Sequence, residues 1–68
     1  MANTKERLRE FLKTMSLDQA QLRLAFKGIK MMDDAEVLAI LEDMEDAVMS
    51  LPEALKMLEE GLEKHEKD

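Results

Sequence analysis

"SLDQAQLRLAFKGIKM", residues 16–31, is the stretch of the chain that decides the fold. Read as a helix at about 100° per residue, it has two apolar faces. One face contains Leu22, Ala25, Phe26 and Ile29. The opposite face contains Leu17, Ala20, Leu24, Gly28 and Met31. A helix with two apolar faces has to be covered on both sides, so this stretch predicts a central helix with other helices packed around it.

Four N-cap signatures divide the chain into helices. In each signature, a short polar side chain accepts a hydrogen bond from a free N–H of the first turn, and a Glu or Gln three residues later reaches back. The predicted caps are Asn3, Ser16, Asp33 and Ser50. Pro52 fits the first turn of the last helix, where its missing N–H costs nothing. The caps predict helices over about residues 4–14, 17–31, 34–50 and 51–65.

The other three helices have one apolar face each, with residues spaced at i, i+3, i+4 and i+7. These faces contain Leu8, Phe11, Leu12 and Met15 in the first helix; Val37, Ile40, Leu41, Met44, Ala47, Val48 and Leu51 in the third; and Ala54, Leu55, Leu58 and Leu62 in the fourth. We therefore predict an all-α fold, a small bundle of three to four short helices. It forms a single domain over residues 1–68, with frayed tails at 1–3 and 64–68.

The size of the chain favours association. A core built from 68 residues supplies a net stability of only about 3–5 kcal/mol. The absence of cysteine excludes a disulfide, and no Cys/His cluster is present to bind a structural zinc. Gly28 costs about 1 kcal/mol in a helix interior relative to alanine, which predicts that another helix crosses closely there. We predict a homodimer whose interface contains Leu17, Ala20, Leu24, Gly28 and Met31.

The start of the second helix resembles a known modification site. "SLDQAQL", residues 16–22, resembles the stretch in which acyl carrier proteins attach a phosphopantetheine arm to serine. Met15 stands where that family has aspartate, only fifteen residues precede Ser16, and the following helix is basic where carrier proteins are acidic. One explanation, helix capping, covers Ser16 and the other three caps alike. We therefore interpret Ser16 as a cap.

The sequence contains no recognisable catalytic site. No metalloprotease motif, EF-hand loop, glycine-rich phosphate loop or cysteine nucleophile is present, and the single histidine, His65, falls in the predicted tail. We predict no enzyme activity and no catalytic, cofactor-binding or metal-binding residues. No apolar run reaches the roughly 20 residues that span a bilayer, and no apolar segment follows the charged N-terminus as in a signal peptide. The predicted location is therefore the cytoplasm.

Charge is distributed unevenly along the chain, whose net charge is −6. Residues 1–30 contain seven basic and three acidic side chains, whereas residues 31–68 contain three basic and thirteen acidic ones. We expect Arg23, Lys27 and Lys30 to form salt bridges with the acidic helices, within the chain or across the dimer. Nucleic-acid binding is disfavoured, because the acidic third helix would be repelled by phosphates and the basic strip shows no aromatic or arginine-rich companion for base stacking.

These features predict a small non-catalytic regulator or inhibitor that binds another protein through its helical surfaces. The predicted contact residues are Leu38, Glu42, Glu45, Asp46, Met49 and Met57, because they lie off the core faces of the third and fourth helices. The alternative is an acidic mimic of DNA, of the phage or mobile-element type, that blocks a nucleic-acid-binding protein. Its surface would be made by Asp34, Glu42, Glu45, Asp46, Glu53, Glu59, Glu60, Glu63 and Glu66.

Overall fold

The computed structural model describes residues 3–66, and these residues form four helices. The helices are α1 (Thr4–Lys13), α2 (Gln19–Met31), α3 (Asp34–Glu45) and α4 (Leu51–Glu66). The predicted all-α bundle is confirmed. Two parts of the predicted tails belong to helices here, because Asn3 caps α1 and residues 64–66 belong to α4. The outermost residues of those tails, 1–2 and 67–68, lie outside the described part of the chain.

The caps of α1 and α2 differ in how well the sequence predicted them. The side-chain oxygen of Asn3 accepts a hydrogen bond from the Glu6 N–H at 2.9 Å, as predicted. The cap of α2 is Asp18 rather than Ser16, because the Asp18 carboxylate accepts from the Gln21 N–H at 2.8 Å. Ser16 lies exposed in the preceding loop, so its prediction as a cap is wrong.

The physical reason is that the capping pattern occurs twice in this segment, at two starting points. Asp18 and Gln21 repeat the spacing of Ser16 and Gln19. With Asp18 as the cap, Leu17 and Leu22 occupy the two positions of a hydrophobic staple. Both leucines are partly buried against the core. A cap at Ser16 would place Leu17 inside the helix instead.

The third helix is shorter than predicted and ends at Glu45 rather than near residue 50. Ala47 adopts a left-handed φ of 59°, the Ala47 N–H donates to the Met44 carbonyl at 3.2 Å, and the Val48 N–H donates to the Asp43 carbonyl at 2.8 Å. These two bonds form a Schellman motif, which satisfies the last carbonyls of a helix. Ala47 and Val48 therefore lie outside the predicted core face, and Val48 is 74% exposed.

The core lies where the four apolar faces meet. α2 packs most extensively against α4, and α1 packs against both α2 and α3. The buried apolar residues are Leu8, Leu12, Ala25, Ile29, Met32, Val37, Ile40, Leu41, Met44, Ala54, Leu58 and Leu62. All of these except Met32 belong to the predicted core faces. Met32 is buried because it follows the last residue of α2 in an extended conformation; Met31, predicted to be buried, is 40% exposed.

Gly28 marks the point at which α2 and α4 come closest. A Cβ atom built on Gly28 would overlap the Leu58 carbonyl oxygen and lie 3.0 Å from the Leu58 carbonyl carbon. This confirms the predicted close crossing of another helix, and the crossing helix belongs to the same chain. At Gly61 the neighbour is a side chain, because a Cβ there would lie 2.5 Å from the Met32 sulfur.

Candidate functional site

A groove lies on the surface beside the α2–α4 contact, and two of the predicted interface residues, Leu17 and Leu24, line it. Two adjoining depressions run along it, of about 440 Å³ and about 90 Å³, and they share Gln21, Leu55 and Glu59. We call this surface the α2–α4 groove; its residues are Ser16, Leu17, Gln21, Leu24, Ala25, Leu51, Pro52, Leu55, Lys56 and Glu59. Leu24 is 47% exposed there, although leucine side chains are usually buried. The smaller depression of the groove therefore contains an exposed apolar side chain.

The predicted dimer residues divide into two sets. Gly28 is buried beneath α4 of its own chain, so a second chain cannot reach it. Leu17 is half-buried and lines the groove together with Leu24. Ala20 and Met31 are exposed on α2. The predicted dimer residues that are accessible to another molecule are therefore Leu17, Ala20, Leu24 and Met31.

The predicted partner-contact residues do not form one patch. Leu38, Glu42 and Glu45 are exposed on α3, and the Glu45 carboxylate pairs with Arg7 of α1 at 3.7 Å. Met57 of α4 lines a separate depression beside Glu36. Residues two positions apart on an α-helix point about 200° apart, so Glu36, and Met57 with it, lie on the opposite side of α3 from Leu38.

The last two predicted contact residues lie in the loop that connects α3 to α4. Asp46 is exposed and is the C-cap residue that directly follows α3. Met49, predicted to be an exposed contact residue of the third helix, is instead half-buried and packs against the core. The reason is the early end of α3, which removes Met49 from the helical face on which the sequence placed it. Met49 is therefore a core contact in this structure.

A basic groove lies between α1 and α2, and the set of residues that line it was not predicted from the sequence. Arg9 of α1 lines a depression of about 330 Å³ together with four residues of α2, namely Arg23, Phe26, Lys27 and Lys30. We call these five residues the basic groove. Arg9 flanks the apolar stripe of α1, and Phe26 stands next to Lys27 in the sequence. These two facts are the only sequence signals for the groove, and neither reveals that α1 and α2 lie side by side.

Ion pairing differs from the expected pattern. Among residues 3–66, the ion pairs are Arg7–Glu45 at 3.7 Å and Lys13–Glu10 at 3.2 Å. Within that range the basic side chains of α2 form no salt bridge with α3 or α4, so the expected pairing within the chain is wrong. The backbone of Lys30 accepts a hydrogen bond from another lysine: Lys5 Nζ donates to the Lys30 carbonyl oxygen at 3.0 Å. The basic side chains of α2 are instead gathered on its α1 side.

The described residues offer little that resembles a catalytic or metal centre. His65 belongs to α4 rather than to a tail, and its Nε2 atom is enclosed without a hydrogen-bond partner among residues 3–66. Within the same range, no three His, Asp or Glu side chains cluster closely enough to hold a metal ion. None of the described helices is long and apolar enough to cross a membrane. No protein-family model, curated protein or solved structure matches this chain.

Proposed function

We propose that this protein is a small non-catalytic regulator or inhibitor that binds another protein, and that it does so as a homodimer joined through the α2–α4 groove. The observation that carries the proposal is the exposure of Leu24 in the smaller depression of that groove. Fully burying a leucine side chain contributes roughly 1.5–3 kcal/mol. Leu24 and Leu55 line the same depression, so a second molecule seated there would bury both leucines further.

The rim of the groove supports a second copy as the occupant. Lys56 and Glu59 lie on the same stretch of α4 and both line the groove. In a two-fold interface the same patch faces itself, so an antiparallel packing whose axis passes between these two positions brings Lys56 of one copy opposite Glu59 of the other. The groove therefore offers both apolar side chains and a pair of opposite charges. This self-complementarity favours a homodimer over an unrelated partner at this surface.

The outer face of α3 remains available for the regulated protein. Leu38 is exposed there, flanked by Glu42 and Glu45, and α3 contributes nothing to the α2–α4 groove. An apolar centre with a charged rim is the usual anatomy of a protein-binding surface. A dimer would present two such faces.

The DNA-mimic alternative has weaker support. A mimic needs its carboxylates in one continuous surface that follows the spacing of phosphates. Here Glu59 borders the α2–α4 groove, Glu60 lies beside Glu36 in a different depression, and Glu45 pairs with Arg7. Since these carboxylates belong to different sides of the bundle, binding through an apolar surface is the better-supported proposal.

Sedimentation equilibrium tests the dimer, with Leu24→Glu as the variant and Leu38→Glu as the matched control. Both substitutions place the same charge on an exposed leucine, so both variants should remain folded. We expect a dimer mass for the wild-type chain and for Leu38→Glu. Leu24→Glu should be monomeric, because two leucines leave the interface. Since each is 47% exposed before association, their loss is about 1.5–3 kcal/mol, which weakens association about ten- to a hundredfold.

A monomer mass for the wild-type chain at high micromolar concentration, with a melting temperature independent of concentration, would contradict the homodimer. Binding of the regulated protein is measured in a separate experiment. In a pulldown from the native host, the proposal expects Leu38→Glu to lose a protein that the wild-type chain captures. Identical capture by both would exclude the outer face of α3 as the regulatory surface.

A further inference from the structure

Four cationic side chains from two helices converge on the basic groove. Arg9 projects from α1, and Arg23, Lys27 and Lys30 line the facing side of α2. Within the described residues, none of the four forms a salt bridge. Arg23 and Lys30 are seven residues apart, which corresponds to about 10 Å along a helix. The groove therefore presents an elongated row of positive charge, and none of its four members is paired with a carboxylate of the described residues.

Phe26 lies in the middle of this row. Its side chain is half-buried, and it lines both the basic groove and an adjoining depression of about 220 Å³, which it shares with Gln19, Leu22 and Arg23. The basic strip of α2 therefore does have an aromatic companion, and Arg9 supplies a second arginine. The sequence pattern showed neither an aromatic nor an arginine-rich companion for the basic strip, and nucleic-acid binding was disfavoured for that reason.

We propose that the basic groove binds single-stranded nucleic acid, with a short run of phosphates along the cations and one base stacked on Phe26. Arginine binds phosphate with a planar, two-pronged set of donors, and lysine binds it as a point charge. Base–aromatic stacking is tolerant of sequence, since every base has a flat face. A single strand supplies one charge and one flat ring at every unit, which matches a row of cations around an aromatic ring.

Other anionic ligands match the groove less well. A duplex keeps its bases stacked inside and offers Phe26 no free ring. An acidic peptide supplies negative charge, but it supplies a flat ring only where its sequence contains an aromatic residue. The net charge of −6 opposes any polyanion at long range, so we expect a dissociation constant near the weak range of non-specific binding, about 10⁻⁴–10⁻⁶ M.

The inference is independent of the proposed homodimer. Leu24 and Phe26 are two positions apart on α2 and therefore point about 200° apart. The α2–α4 groove and the basic groove accordingly lie on opposite sides of this helix. A dimer joined through Leu24 leaves both basic grooves open, and a monomer leaves its single one open, so failure of one proposal does not decide the other.

Fluorescence anisotropy with a labelled oligothymidylate tests the site. A length of about eight nucleotides falls inside the roughly 4–16-nucleotide range of single-strand sites. Arg23→Gln/Lys27→Gln should weaken binding about tenfold and flatten the dependence of log K on log salt concentration by about 1.4, because each single-strand phosphate contact contributes about 0.7. The matched control, Arg7→Gln/Lys64→Gln, removes one arginine and one lysine that line neither groove, and it should bind like the wild-type chain.

Phe26→Leu tests the stacking contact separately. Leucine keeps an apolar side chain against the core and removes the ring, so circular dichroism should report an intact fold while affinity falls about fivefold. Binding by the wild-type chain that is undetectable at about 100 µM protein would overturn the proposal. Equal losses of affinity in the groove variant and in the Arg7→Gln/Lys64→Gln control would also overturn it, as would equal binding of a duplex. Tighter binding of a glutamate-rich peptide would assign the groove to an acidic protein segment instead.

Discussion

Gly28→Ala adds one methyl group at the point where α2 and α4 touch. The new Cβ would overlap the Leu58 carbonyl oxygen, and both atoms belong to helical backbones that cannot rotate away as a side chain can. Relief therefore requires α4 to move outward as a unit. A gap of about 0.5–1 Å forfeits a quarter to a half of each dispersion contact it opens, and this pair of helices shares the largest interface of the fold.

The expected magnitude follows from two opposing effects. Overpacking of a well-filled core costs about 1–3 kcal/mol, and a clash with backbone belongs at the upper end of that range. Alanine regains about 1 kcal/mol of helix propensity relative to glycine. The net loss is about 2 kcal/mol, roughly half of the 3–5 kcal/mol that a core of this size supplies. At about 4–8 °C per kcal/mol for a small domain, the melting temperature falls by about 8–16 °C.

Gly61→Ala provides the matched control, because it makes the same chemical change in the interior of α4. Its Cβ would meet the sulfur of Met32 at 2.5 Å, and the end of a methionine side chain can move at low cost. We expect this variant to be between neutral and about 1 kcal/mol more stable than the wild-type chain. Urea and thermal unfolding followed by circular dichroism measure both variants. A Gly28→Ala protein as stable as Gly61→Ala would refute the close crossing of α2 and α4.

The remaining predictions concern helix ends and are measured by the same unfolding curves. Asp18→Ala should cost about 1 kcal/mol because it removes the cap of α2, whereas Ser16→Ala should stay within about 0.5 kcal/mol of the wild-type value; the reverse order would restore Ser16 as the cap. Ala47→Gly should stabilise the protein by about 0.5 kcal/mol. The left-handed conformation costs alanine roughly 1–2 kcal/mol, and the larger conformational entropy that glycine loses on folding offsets part of the gain from removing that cost. An unchanged or lower stability would contradict the left-handed turn.

The sequence by itself determined the fold class, a bundle of three to four helices, and the identity of most of the core. Period-3.6 patterning is a local property, and it fixed the buried faces of α1 and α4 and the inner face of α2 without knowledge of the neighbours. The cap at Asn3 was also predictable, because only one capping register exists there. The close approach at Gly28 followed from a residue whose presence inside a helix needs a reason.

Helix ends with competing local signals were decided by tertiary packing. Ser16 and Asp18 offer two capping registers of similar local energy, and the burial of Leu17 against the core accompanies the second. At the end of α3, Ala47 enters a left-handed turn that its sequence does not favour, and the chain then starts α4 at Leu51. Local patterning could not anticipate either result, because the stabilising contacts come from distant segments.

The two grooves proposed as binding surfaces were also decided only by the tertiary structure. α4 covers Gly28 while leaving Leu24 exposed, which divides one apolar face of α2 into a core contact and a surface groove. Arg9 and Phe26 are seventeen positions apart in the sequence and share a groove because α1 packs beside α2. Helical periodicity specifies which residues share a face of one helix, but the juxtaposition of faces from different helices depends on how those helices pack.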